Sequence, residues 1–201
     1  MRSAKPEARN LKSETRNVDK KELRRSLLKT RQSLSLETYQ HQSLQLCEHL
    51  KASQLFVNAN LVLAYFSTRQ EPDLSSLFTL SKTWGFPRCV DAELCWHEWF
   101  PSDSLPLQKG AFGILEPHSN SPVIQPDAVD LILVPALACD RQGYRLGYGG
   151  GFYDRLLSIS PWNQKTTIGI VFDFAHLPTL PTDPWDHRLQ AVCTESGLFF
   201  C

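Results

Sequence analysis

Apolar positions in this chain follow two rhythms, and the rhythms alternate along it. Leu23, Leu27 and Leu28 recur at helical spacing behind Asp19-Lys-Lys-Glu22, where a short acceptor followed three residues later by Glu forms a capping box. A second helix is expected after Ser35, with Tyr39, Leu46, Cys47 and Leu50 on one face. Leu61-Val-Leu-Ala-Tyr-Phe66 is almost wholly apolar, the pattern of a strand buried on both faces. Asp73 is expected to cap a helix through Leu74, Leu77, Phe78 and Trp84 that Gly85 ends. Strands are expected at 86–90, with Pro87 near the start, and at 93–100. Residues 101–128, with Pro101, Pro106, Pro117, Pro122 and Pro126, read as connection. Further strands fall at 130–134, 166–172, 191–194 and 198–200, and a helix at 151–160. Strands alternating with helices predict an α/β fold: a single three-layer domain over 18–201, built on a largely parallel, Rossmann-like sheet with helices on both faces.

Composition narrows the class without changing it. With 201 residues, 42% hydrophobic and 21% charged, the chain is large enough for one full core. Its net charge of zero hides an asymmetry: residues 1–31 hold eleven Lys and Arg against Glu7, Glu14, Asp19 and Glu22. Residues 1–17 have hardly an apolar anchor and read as a basic, disordered tail. No run of eighteen apolar residues predicts a spanning helix, and the first twenty residues lack the apolar core of a secretory leader. Arg2, Arg9 and Arg16 suit an organelle transit peptide, while Glu7 and Glu14 argue against one. Six cysteines without a C-x-x-C pair point to reduced thiols and a cytoplasmic setting. The six scattered histidines offer no zinc-protease spacing.

Candidate chemistry concentrates in one place. Gly143, Gly147, Gly149, Gly150 and Gly151, half of the ten glycines, fall within nine residues after the strand at 130–134. Glycine tolerates positive φ and close backbone approach, so the stretch presents amide hydrogens to an anion ahead of a helix start. Arg145 adds a guanidinium and Asp154 a carboxylate. Ligands gather at the carboxyl ends of strands in such sheets, and the loop lies on that edge. It is not a Walker A loop, since no Lys-Ser or Lys-Thr follows the glycines, and the dinucleotide fingerprint fails at Phe152.

Residues 135–154, Pro135-Ala-Leu-Ala-Cys-Asp140-Arg-Gln-Gly143-Tyr-Arg145-Leu-Gly147-Tyr-Gly149-Gly-Gly151-Phe-Tyr153-Asp154, resemble the signature of the 5-formyltetrahydrofolate cyclo-ligase family. Lys20-Lys-Glu-Leu-Arg24 is similar to its amino-terminal element, and Phe112-Gly-Ile-Leu-Glu-Pro117 to an internal one. Leu180-Pro-Thr-Asp-Pro-Trp-Asp186 and Val192-Cys-Thr-Glu195 are similar to its closing segments. The resemblance spans about residues 20–195. Departures are Ala136, Cys139, Gly150 where many members carry Lys, Phe152 for Tyr, and Ala175 where Gln is common.

The resemblance implies ATP- and Mg²⁺-dependent closure of 5-formyltetrahydrofolate to 5,10-methenyltetrahydrofolate. It places the nucleotide on Lys20, Arg24 and the stretch Arg145, Leu146, Gly147, Tyr148, Gly149, Gly150, Gly151, Phe152 and Tyr153. Folate would meet Phe66, Glu71, Tyr148, Gly149, Gly150, Gly151 and Phe152. Arg145 and Tyr153 would serve catalysis, and Asp154 and Asp186 would hold the metal. The expected partner is the small folate substrate, with no membrane or nucleic acid, on a monomer. Read without the resemblance, Lys20 and Arg24 suit a solvated helix face, Glu71 a helix cap with Asp73, Asp186 a turn, and Phe66, Trp96 and Trp99 the core. Rival readings are a folate- or RNA-binding protein without catalysis, and a sugar-phosphate isomerase or CoA-transferase-like enzyme on a similar sheet.

Overall fold

The computed structural model describes residues 19–201; the tail expected over 1–17 lies outside the described residues. Asp19 caps α1 (Lys20–Gln32) by accepting from the amide of Lys21, and Ser35 caps α2 (Leu36–Ala52) by accepting from that of Thr38. A short α3 (Gln54–Val57) leads into β1 (Leu61–Leu63). A hairpin of β2 (Thr83–Val90) and β3 (Glu93–Glu98) follows. The proline-rich stretch holds the two-residue β4 (Gln108–Lys109) and β5 (Leu115–Glu116) and a 3₁₀ turn at Pro126–Ala128. Then come β6 (Leu131–Pro135), β7 (Ala138–Asp140), β8 (Arg145–Leu146) and α4 (Phe152–Ser158). The chain closes with β9 (Thr166–Ile170), β10 (His176–Leu177), β11 (Ala191–Thr194) and β12 (Gly197–Phe200).

Seven strands form the central sheet in the order β12-β11-β9-β6-β1-β2-β3. The five inner strands pair in parallel, and only the edge strands β12 and β3 run antiparallel. Alternation along β6 shows how the layers arise. Leu131 and Leu133 face Leu46, Cys47 and Leu50 of α2, Val62, Ile168 and Ile170. Ile132 and Val134 face the opposite cluster, with Leu27 of α1 and Leu156 and Leu157 of α4. Both faces are thus covered, as the unbroken apolar runs require, and the α/β expectation holds.

Two expectations change. No helix spans 73–84: Asp73 accepts from the amide and hydroxyl of Ser75, and only Ser75–Leu77 make a 3₁₀ turn. Ser75, Ser76, Thr79 and Ser81 favour local side-chain hydrogen bonds over helix. Trp84, expected on the helix, is instead buried inside β2, opposite Val62 of β1. The glycine stretch also does not follow the core strand directly. A β7–β8 hairpin intervenes, turning at Gly143 with φ 88°. Buried Asp140 secures it by accepting from the amides of Gln142, Tyr144 and Leu180.

Leu133, fully buried in the central strand, is the direct probe of this core. Leu133→Ala should cost about 2–5 kcal/mol in urea unfolding.

Candidate functional site

The loop from Gly147 to Gly151 runs between β8 and α4, and Gly149 (φ 98°) and Gly151 (φ 70°) adopt left-handed backbone. Among the described residues, no carbonyl or side chain accepts from the amides of residues 147–151. Arg24 holds the loop from outside by donating Nε to the carbonyl of Gly147 at 2.8 Å. The ring of Phe152 lies over Gly150, where an added Cβ would meet it at 3.1 Å. Phe152 therefore occupies the space next to the departure at Gly150. With only seven residues, α4 contributes little dipole, so loop amides and side-chain cations carry the attraction for anions.

This loop forms one wall of a cavity of about 580 Å³. Every residue singled out above as a site candidate lines that cavity, from Lys20, Arg24, Phe66 and Glu71 through residues 145–154 to Asp186. Trp96 and Trp99 do not; they pack in the core, Trp99 edge-on to Phe66 and Phe86. Phe66 does both, stacking on Phe86 at 4.2 Å between ring centroids while lining the cavity. Ala175 is buried and away from the cavity lining. Arg88 is committed to Glu116, with its guanidinium 3.9 Å from the carboxylate and bonded to the carbonyl of Pro117.

Lys20 and Arg145 are already paired with carboxylates in the cavity. Lys20 Nζ reaches Asp183 at 2.6 Å and Asp186 at 2.7 Å, and Arg145 Nη2 reaches Asp154 at 2.5 Å. Burial acts to lower the Lys20 pKa, but the two carboxylates outweigh it and raise it. Glu71, only 3% exposed, accepts from the Tyr148 hydroxyl at 2.8 Å and from the amide of Thr68 at 3.1 Å. Burial pushes its carboxyl up, opposed by Arg31 and by the Tyr148 bond. Burial likewise pushes the Tyr148 and Tyr153 phenols up, so both are protonated hydrogen-bond donors at neutral pH. The Tyr153 hydroxyl and Arg145 Nε are buried and have no partner among the described residues. Such groups carry a desolvation cost that a bound ligand relieves.

Among the described residues, no three His, Cys, Asp or Glu side chains cluster tightly enough to hold a metal by themselves. Asp154 and Asp186, side chains 32% and 11% exposed, are hard oxygen donors that line the same cavity as the glycine loop. That set fits Mg²⁺, which takes one or two carboxylates together with substrate phosphates and water.

A profile of the 5-formyltetrahydrofolate cyclo-ligase family matches residues 16–195. The chain belongs to this family. It is 31% identical to the 5-formyltetrahydrofolate cyclo-ligase of Mycolicibacterium smegmatis over 188 residues, 87% of this chain and 93% of that one. A shorter match, 39% identical over 84 residues, links it to the Haemophilus influenzae cyclo-ligase and spans 44% of that relative's length. The structure of Aquifex aeolicus 5,10-methenyltetrahydrofolate synthetase superposes with a TM-score of 0.79 at 33% identity, covering 90% of this chain and 92% of that one.

For this cyclo-ligase family member, reading by motif missed Arg31, Thr68, Arg69, Asp183 and Trp185. All but Arg31 line the cavity. A signal existed for two of them. Arg31 continues the stripe Lys20, Arg24, Leu27 at helical spacing on α1, and Asp183 stands one turn before Asp186, whose carboxylate accepts its amide at 2.8 Å.

The loop's backbone geometry is itself testable. Gly151→Ala should cost about 1–2 kcal/mol in urea unfolding, because a Cβ opposes the left-handed conformation. Inorganic tripolyphosphate, titrated calorimetrically, should also bind the variant more weakly.

Proposed function

We propose that this chain closes 5-formyltetrahydrofolate to 5,10-methenyltetrahydrofolate at the expense of ATP, releasing ADP and phosphate. One observation carries the reading. The amide-rich glycine loop with its cations and the buried carboxylate Glu71 line a single cavity, linked directly by the Tyr148–Glu71 hydrogen bond. Phosphoryl donor and pterin therefore share one room, which the chemistry requires.

A formyl oxygen on N5 is amide-like and leaves poorly. It must take the γ-phosphoryl group of ATP, releasing ADP, before N10 attacks the same carbon. The N10 proton is then lost and the C–O bond breaks with phosphate departing. Phosphoryl transfer asks a protein chiefly for positioning and charge neutralisation. The amides of 147–151 receive phosphate oxygens, and Lys20, Arg24 and Arg145 supply positive charge where it develops. Asp154 and Asp186 would hold Mg²⁺, which would supply neutralisation of phosphate charge.

The ion pairs of the free site act as stand-ins for this complex. When phosphates enter, Lys20 and Arg145 turn to them, which frees the carboxylates of Asp186 and Asp154 for the metal. Lys20 and Arg145 thus have an anionic partner in both states. Tyr153, kept protonated by burial, donates its unpartnered hydroxyl to substrate and is not a base. Glu71 accepts from the amino and ring N–H donors of the pterin, an edge that a carboxylate matches. Phe66, Leu94, Ile114 and Leu115 supply apolar walls.

Incubating the protein with 5-formyltetrahydrofolate, Mg²⁺ and ATP should yield the absorbance of the methenyl product with one ADP per turnover, and nothing without ATP. Product formed without ATP would favour an isomerase-like site, and silence in both arms a binder. Asp154→Asn should lose Mg²⁺-dependent turnover by about 10²-fold or more with the fold retained; normal turnover removes it from the metal site. Arg145→Ala should raise the KM for ATP by roughly ten-fold or more and leave folate binding nearly unchanged.

A further inference from the structure

Arg31 is buried, 3% exposed, on the last turns of α1. Its guanidinium grips three separate segments. Nε donates to the carbonyl of Arg69 at 3.1 Å, Nη1 to that of Ala136 at 3.4 Å, and Nη2 to the hydroxyl of Tyr148. The Tyr148 hydroxyl in turn donates a hydrogen bond to Glu71 Oε1, so the order is Arg31, Tyr148, Glu71. Arg31 and Arg69 also lie over the Tyr148 ring, at 5.5 and 5.6 Å from its centroid.

The segment carrying Glu71 is strained. Arg69 and Gln70 adopt φ of 49° and 57°, left-handed backbone that costs a non-glycine residue and persists only where its surroundings enforce it. Arg31 enforces it through the Arg69 carbonyl, while Ser67 Oγ donates to the carbonyl of Glu71 at 2.6 Å and the Glu71 amide bonds Thr68 at 2.9 Å. Two consecutive strained residues next to a buried carboxylate mark a conformation kept for the position of that carboxylate.

We propose that Arg31 is a positioning residue for folate recognition: from behind the cavity wall it clamps the Glu71 loop and aims the Tyr148 hydroxyl, fixing the carboxylate that receives the pterin. The inference rests on the reading that this cavity takes folate. A planar fork reaching three acceptors is a task for Arg; the ammonium of Lys keeps the charge but not the reach. Arg31 also opposes the burial that pushes the Glu71 carboxyl up. The other groups facing Glu71 are Arg69 and the phenols of Tyr39, Tyr65, Tyr148 and Tyr153. Burial pushes these phenols up, so they stay neutral across the working range.

The test compares Arg31→Lys and Arg31→Gln with wild type by calorimetric binding of 5-formyltetrahydrofolate without ATP, and by steady-state kinetics between pH 5 and 8. Both variants should weaken folate binding and raise its KM by about ten-fold or more, with the KM for ATP within about two-fold. Only Arg31→Gln should also move the acid limb of kcat/KM for folate to higher pH, because losing the cation raises the Glu71 pKa further. If Arg31→Gln fails to fold, Tyr148→Phe, which removes one oxygen, should reproduce the folate defect. Adding Arg31→Lys to it should then cost less than the two single effects multiplied. Folate affinity unchanged in Arg31→Lys and Tyr148→Phe, or an equal loss for ATP and folate, overturns the positioning role. Failure of the wild-type protein to bind 5-formyltetrahydrofolate sinks instead the reading on which it rests, and the inference with it.

Discussion

Charge pairing inside one cavity is the constraint on which the site depends. Lys20 faces Asp183 and Asp186, Arg145 faces Asp154, and Glu71 is reached by Arg31 through Tyr148. Arg145 and Glu71 are the most buried of these, and stripping either of its partner would leave a buried charge uncompensated, which costs more than the pair contributes. These contacts fix the positions of Lys20, Arg145 and Glu71 in the free site.

Helix α1 is the element that makes this arrangement possible. Lys20, Arg24 and Arg31 fall along one side of it and engage, in turn, the Asp183–Asp186 turn, the glycine loop and the Glu71 loop. Leu27 between them anchors the helix in the core. The same helix therefore sets the distance between the glycine loop and the carboxylate, and a parallel sheet delivers both to one edge: Pro135 ends β6 at the cavity, and the Glu71 loop follows β1.

Much of this was legible beforehand, for physical reasons that also explain the failures. The parallel strands announced themselves because burial on both faces demands unbroken apolar runs such as 131–134. The caps Asp19 and Ser35 and the glycine stretch carry their signals in local chemistry. The expected helix after Asp73 failed because Leu74, Leu77 and Phe78 are buried whether the chain coils or turns, and tertiary packing of Trp84 into β2 decided the matter. The β7–β8 hairpin escaped notice because its strands are two or three residues long and held largely by Asp140, a long-range acceptor for Leu180. Arg31 was hidden for a related reason. A buried arginine on a basic helix looks like one more solvated charge until its three acceptors, distant in sequence, are brought to it.

The central claim is that main-chain amides of the glycine loop receive the nucleotide's terminal phosphates. Amide resonances followed while the ¹⁵N-labelled protein is titrated with a non-hydrolysable ATP analogue and Mg²⁺ test it most directly. Gly147, Gly149, Gly150 and Gly151 should shift together and saturate with the same affinity as the protein as a whole. Saturable binding that leaves those four resonances in place would contradict the account.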